Sequence, residues 1–451
     1  MKQIINNYSK CIIIVAIMLI GSMAWAGSLK KTELVCRLKT DRDIFIAGEP
    51  QNIVLKVSLD APAAPADISR PAVNLALVLD RSGSMNGTKI DQAKAAALET
   101  LNRLGMQDIF SLVTYDTTIQ TIVPARHPSS VQEIIHTIRQ IRTGGSTALF
   151  GGVSQGAAEI RKNLENEYVH RIVLLSDGLA NVGPSTPEDL GRMGAALIKE
   201  NISVTTVGVG VDYNEDLMAR LSQKSDGNTY FVESEYDLPA IFAAELGDVL
   251  NVVAKNVKVI ITLSDNITPV GIIGREGRIR GNRIELSMNQ LYGGQEKYAL
   301  VEVRLPASKS GSKQTIARAD VYYENPFTQK QAQSTGTSQV KFSNNPKQVA
   351  ESANIDVVRE YERNLNAMAQ EKAIEFSDKG QKKEAVAELK KSAVKLKAAG
   401  ARYQDEELLE EAKAIENQAR QIEAEGMSKK SRKVLRTQSF QMKNQQLLKK
   451  E

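Results

Sequence analysis

The chain has 451 residues, of which 42% are hydrophobic and 25% charged. That composition excludes a collagen-like or broadly disordered protein, the length exceeds one ordinary domain of roughly 100–200 residues, and two cysteines exclude a disulfide-stapled fold. The net charge of +5 is uneven: residues 1–26 hold two lysines and no acid, residues 427–451 hold eight Lys or Arg against Glu451, and the body between is net −4, which is not the pattern of a uniformly basic nucleic-acid binder.

Residues 1–26 have the three parts of a secretory signal. Lys2 and Lys10 form the positive region, Cys11 to Ile20 is apolar, and Ala24-Trp25-Ala26 is a cleavage site with small flanking residues. The run is shorter than the ~20 residues of a comfortable membrane span. The expectation is an exported protein, periplasmic or secreted to the cell surface. An N-x-[ST] glycosylation pattern at Asn86, inside the loop singled out below, tilts the source toward bacteria; Asn201 and Asn266 carry the same pattern.

Residues 27–71 read as two strands, Leu34 to Leu38 and Ile53 to Val57, parted by the Gly48-Glu49-Pro50 turn and followed by a linker with Pro62, Pro65 and Pro71. Cys36 alternates with Leu34 and Leu38, so a buried thiol is expected. Residues 72–250 alternate apolar strands (73–79, 109–115, 171–175, 203–209) with helical patterns near 89–104, 131–142, 149–164 and 187–199. Ser130 with Glu133, and Thr186 before Pro187, predict helix starts. The strands are apolar throughout, as strands covered on both faces are. Strand–helix alternation predicts a doubly wound, mostly parallel α/β sheet.

Residues 251–346 switch to strands and Gly-rich turns, a β-sandwich pattern. Two strands in 27–71 are too few to bury a core alone, so they are expected to join this second half, with the α/β domain inserted between. Residues 347–426 carry apolar residues at 3/4 spacing, a helical hairpin region with breaks at Gly380 and Gly400. Residues 427–451 read as a basic tail.

One set of fragments carries chemistry. The strand 75–79 ends in Asp80-Arg81-Ser82-Gly83-Ser84-Met85; Gly144-Gly145-Ser146-Thr147 precedes the helix from Leu149; Ser176-Asp177-Gly178 ends the strand 171–175. Ligands of open α/β sheets sit outside the carboxyl ends of strands, near the switch point. The fragments supply two carboxylates and three hydroxyls and no His or Cys, which suits a hard divalent cation and argues against zinc or copper. Residues 80, 82 and 84 alternate in a tight loop, and Gly83 is expected to permit its turn.

These residues resemble the von Willebrand factor A (VWA) domain and its metal-ion-dependent adhesion site over roughly 73–250. The resemblance implies a metal set of Asp80, Ser82, Ser84, Thr147 and Asp177, with the hydroxyls bound directly or exchanging with water, the aspartates often acting through water, and an acidic side chain of a protein ligand completing the coordination. Asp80-Arg81-Ser82-Gly83-Ser84-Met85 with its strand, and Phe110 to Tyr115, also resemble bacterial relatives of the inter-alpha-trypsin inhibitor heavy chain group.

The expected function is divalent-cation-dependent protein–protein interaction or adhesion, with Mg²⁺ as the cofactor and Mn²⁺ or Ca²⁺ as alternatives. The second reading is an envelope scaffold acting through the helices and the basic tail on an anionic surface. A metal-dependent hydrolase ranks below both. Of the three histidines, His127, His136 and His170, none neighbours a metal-loop residue in sequence, and no base is paired with Ser82 or Ser84. No phosphate-binding GxxxxGK[ST] loop is present. The chain is therefore read as a non-enzyme with no specific nucleic-acid partner and no membrane span once the signal is removed.

Overall fold

Side-chain alternation governs the first strands. In β1 (Val35–Thr40) residues alternate between solvent and core, and in β3 (Gln51–Asp60), beyond the short β2 (Ile44–Ile46), the run is buried. The computed structural model describes residues 33–65, 68–165 and 167–446; the expected signal, with Cys11 and Trp25, lies outside them. Cys36 is a buried free thiol, and burial pushes its pKa up to about 12.

The α/β unit follows: β4 (Ala72–Asp80), α1 (Thr88–Arg103), β5 (Ile109–Tyr115), β6 (Ile119–Arg126), α2 (Val131–Arg139), α3 (Leu149–Ile160), β7 (Tyr168–Ser176), α4 (Pro187–Leu197), β8 (Ile202–Val209), α5 (Glu215–Ser225), β9 (Thr229–Val232) and α6 (Leu238–Val249). The sheet order is β6-β5-β4-β7-β8-β9, parallel except for the β5–β6 pair. Strand order reverses between β4 and β7, so the switch point lies where Asp80 and Asp177 emerge. The sheet is buried on both faces, against α1, α2 and α6 on one side and α3, α4 and α5 on the other. Within this unit four elements were not predicted from the sequence: β6, β9, α5 and α6. β6 is a half-exposed edge strand and β9 has four residues, so neither shows the long apolar run that marks β4 or β8. The Thr186 start holds as a capping box with Asp189, whereas Ser130 makes no side-chain cap bond.

The chain then returns to the β layer through β10 (Val252–Leu263), β11 (Thr268–Ile273), β12 (Arg278–Arg280), β13 (Arg283–Tyr292), β14 (Glu296–Leu305), β15 (Lys313–Asn325) and β16 (Lys330–Ser343). The sheets β1-β3-β14-β11 and β12-β13-β10-β15-β16-β2 enclose one core, in which Leu38, Leu55 and Val57 from before the α/β unit pack with Val259, Val301 and Val321 from after it. The α/β unit is thus inserted in a split β-sandwich. β3 lies between β1 and β14, with Leu55 opposite Val301.

The helical region comprises α7 (Pro346–Glu351), α8 (Ile355–Asp378), α9 (Lys382–Tyr403), α10 (Glu406–Glu425) and α11 (Lys429–Asn444). Val357 and Tyr361 of α8 pack on Val54, Tyr298 and Leu300 of the sandwich. Gly380 stands at a helix break with φ +72°. Gly400, expected to be a second break, lies inside α9; a Cβ there would meet Leu409 Cγ at 2.8 Å, so its role is close helix packing.

The expected basic tail over 427–451 is in its described part a packed helix. Residues 429–444 are helical, with Leu435 and Phe440 buried, and residues 447–451 lie outside the described part. Lys433 is buried against Glu215 at 2.8 Å, Lys429 pairs with Asp212 at 2.9 Å, and Arg432 pairs with Glu215, Asp216 and Asp378. The six described cations of this segment, Lys429, Lys430, Arg432, Lys433, Arg436 and Lys443, all pair with acidic side chains of the body.

Candidate metal centre

β4 delivers Asp80 at its carboxyl end, and the chain turns at once through Ser82 into a 3₁₀ turn, Gly83–Met85. Met85 is fully buried and anchors that turn. Gly83 makes its turn without positive φ; Gly145 is the loop glycine at φ +72°, where a Cβ would lie 2.7 Å from Thr117 Oγ1. Backbone bonds tie the loops together. Gly83 N–H donates to Gly145 O (3.1 Å), Gly144 N–H to Arg81 O (2.8 Å) and Ala148 N–H to Asp116 O (2.9 Å).

The structure brings all five predicted residues to this edge. Asp80 accepts from Ser82 N–H at 2.8 Å and from the Ser176 hydroxyl at 2.7 Å. Ser82 Oγ and Ser84 Oγ lie 3.1 Å apart, and the Ser84 hydroxyl donates to Asp177 Oδ1 at 2.7 Å. Thr147 arrives from the loop before α3: a Cβ on Gly178 would stand 3.2 Å from Ser84 Oγ and 3.3 Å from Thr147 Oγ1, so both hydroxyls flank one point. Thr147 N–H donates to Asn181 Oδ1 (2.8 Å), and Asn181 N–H returns a bond to Thr147 O (3.1 Å).

Asp80, Ser82, Thr147 and Asp177 are buried while Ser84 is exposed, so the cluster opens to solvent on the Ser84 side. Burial pushes the Asp80 carboxyl up to about 6, against the bonds from Ser82 and Ser176 that pull it down; the nearby Asp177 charge adds to the rise. Two carboxylates withdrawn from water at one strand edge favour a cation among them. Among the described residues no group of three or more His, Cys, Asp or Glu is placed to hold a metal ion, so a cation here would depend on the hydroxyls. The donor set, hydroxyl and carboxylate oxygens from three loops at one sheet edge, fits a divalent ion that takes oxygen ligands and keeps some waters.

Five further residues that the sequence analysis did not assign to the site complete it. Ser176 holds Asp80, Asn181 holds Thr147, and Arg81 pairs with Asp116 at 2.9 Å. Lys89, in the first turn of α1, places its ammonium 2.5 Å from Asp177 Oδ2. The available signal for Lys89 was position: it opens the helix that directly follows the metal loop. The rim carries exposed Leu179, two residues past Asp177, and exposed Tyr236, beside Glu235, which accepts a bond from Thr88. The histidines are engaged elsewhere: His127 Nδ1 with Asp108 O, His136 with Gln140, and His170 buried in β7.

Comparison with known proteins places this geometry. The family model for the von Willebrand factor type A domain matches residues 74–244. Protein sll0103 of Synechocystis sp. is 24% identical over 299 residues, covering 64% of this chain and 70% of that one. The inter-alpha-trypsin inhibitor heavy chain H3 of Rattus norvegicus is 25% identical over 241 residues, half of this chain but only 27% of the heavy chain. Among solved structures, a von Willebrand factor type A protein from Catenulispora acidiphila superposes with a TM-score of 0.66 at 14% identity, over 84% of this chain and 90% of that one, a likeness of fold that extends past the α/β unit. Residues 74–244, with their switch-point loops, are therefore a von Willebrand factor type A domain.

Proposed function

We propose that this chain is an exported module for divalent-cation-dependent protein–protein interaction, in which Asp80, Ser82, Ser84, Thr147 and Asp177 hold Mg²⁺ and an Asp or Glu carboxylate of the partner completes the site. The domain type supports protein interaction or adhesion in general. The finer reading rests on one observation: Ser84 Oγ, at the solvent-open side, meets Ser82 Oγ and Asp177 Oδ1 and shares with Thr147 Oγ1 the space beside Gly178, next to a buried Asp80. When bound, the ion would supply an electrophile that grips an oxygen anion. Asp80 and Ser176 fix the floor of the site, Asn181 fixes the Thr147 loop, and exposed Leu179 and Tyr236 offer apolar contact to a protein surface.

A hydrolase reading gains no support from the placement of the serines. The hydroxyls of Ser82 and Ser84 face each other and Asp177, with the histidines bound or buried elsewhere; a nucleophile needs a paired base. Export is supported by the signal pattern in residues 1–26, and among the described residues no helix is long and apolar enough to cross a membrane.

The test uses the full mature chain as bait on envelope extract, in Mg²⁺ and in EDTA, beside Asp80→Ala. A partner retained only in Mg²⁺, and lost with Asp80→Ala although that variant unfolds at the wild-type temperature, is the expected result. Normal retention by Asp80→Ala in excess Mg²⁺ removes the site from recognition.

A further inference from the structure

The charge of the cluster is not set by its two aspartates alone. Asp177 is fully engaged, with one oxygen accepting from the Ser84 hydroxyl and the other from the Lys89 ammonium at 2.5 Å. The Lys89 side chain is partly buried. It projects from the first turn of α1, a Cβ on Gly210 after β8 would lie 4.0 Å from its Nζ, and its neighbour Thr88 is tied to Glu235. The other cation at this edge, Arg81, is neutralised by Asp116. Asp80 takes its bonds from Ser82 N–H and Ser176 Oγ–H, which are neutral donors. The centre therefore holds two carboxylates and one ammonium, a net charge of −1. A divalent ion brings it to +1, where the same ion on two aspartates alone would bring it to zero.

We propose that Lys89 is a specificity-determining residue: a tethered monovalent cation that satisfies Asp177 when no metal is bound, competes with divalent-ion entry, and leaves the metal-bound site with the positive charge that selects an anionic ligand. This rests on the metal-site reading above. The physical reason is Coulombic. A fixed ammonium a few ångströms from a divalent ion repels it, and attracts a carboxylate seated on that ion, more strongly in a partly buried site than in bulk water. Loss of the charge therefore moves two affinities in opposite directions, whereas loss of a merely structural side chain weakens both.

The experiment compares wild type, Lys89→Met and Lys89→Arg as full mature chains. Mn²⁺ affinity is measured by calorimetry, and acetate binding to the Mn²⁺-bound protein by paramagnetic relaxation of the acetate carbon signals. Lys89→Met is expected to bind Mn²⁺ about tenfold tighter and acetate about tenfold weaker, with Lys89→Arg close to wild type. Thermal unfolding without metal confirms that each variant is folded, and Lys89→Arg keeps the charge if Lys89→Met does not fold. If wild type binds Mn²⁺ but Lys89→Met leaves both affinities unchanged, or lowers both, the role of Lys89 falls while the metal site stands. If wild type binds no Mn²⁺, the metal-site reading falls and this inference with it.

Discussion

The imidazole of His170 is buried in β7, with an Nδ1 that finds no hydrogen-bond partner. Burial foremost, with the nearby Lys255 charge and against the opposing Glu165, lowers its pKa to about 4. In the unfolded chain the same ring titrates near 6.5. Between those values the unfolded state binds a proton that the native state refuses, so stability is intact above pH 6.5 and is lost as pH falls to 4. The loss is on the order of 3 kcal/mol. Urea unfolding across pH 4–7 should show that slope, and His170→Gln should flatten it; an unchanged slope in the variant assigns the acid sensitivity elsewhere. Asp80 sits at the opposite end of the sheet, where burial likewise disfavours the charged form and raises its pKa.

At the scale of elements, α11 explains why charge alone misled. Its cations are concentrated in the sequence, yet each described ion pair has a partner distant in the chain: Asp212, Glu215, Asp216 and Glu233 in the α/β unit, Glu371 and Asp378 in α8. Burial of Leu435 and Phe440 contributes roughly 1.5–3 kcal/mol each, and the Lys433–Glu215 pair sits largely out of water, at side-chain exposures of 3% and 8%. Removing Glu215 leaves the Lys433 ammonium buried without its carboxylate. Glu215→Ala is therefore expected to cost about 3 kcal/mol and to expose α11 to trypsin at Lys429 to Arg436 while the metal loops stay resistant. Equal digestion rates for variant and wild type would show that packing alone holds the helix.

Across the whole molecule, one buried guanidinium joins the α/β unit to the sandwich. Arg171 of β7 is fully buried. It donates to Gln290 Oε1 at 2.6 Å and to the Tyr292 hydroxyl at 2.8 Å, both on β13, and to Thr205 Oγ1 at 3.1 Å, with Glu245 of α6 at 3.5 Å. Glu245 in turn accepts from Thr205, Asn228 and Tyr230. Arg171→Met leaves Glu245 buried and uncompensated, an expected loss of about 3–5 kcal/mol. If the network is what makes the two units unfold together, calorimetry of the variant should resolve two transitions where wild type shows one. A single, equally cooperative transition would assign the coupling to the apolar contacts at the junction.

Much of this was legible along the chain because it is periodic or local. The apolar runs of β4, β5, β7 and β8 marked a sheet covered on both faces, and the Pro187 start and the D-x-S-x-S loop were written in adjacent residues. Their order placed Asp80, Ser82, Ser84, Thr147 and Asp177 at one sheet edge. β6 and β9 were not legible, since an edge strand and a four-residue strand carry no distinctive period. What the sequence determined by itself was the set of elements whose own residues state their burial and the oxygen donors that follow them. Tertiary structure alone decided that Lys89 meets Asp177, that Ser176 holds Asp80, that Arg171 reaches β13, and that the basic segment folds back as α11. Each of those depends on a charge or hydroxyl finding a partner across the fold, and a one-dimensional pattern records which groups need partners but not where the chain brings them.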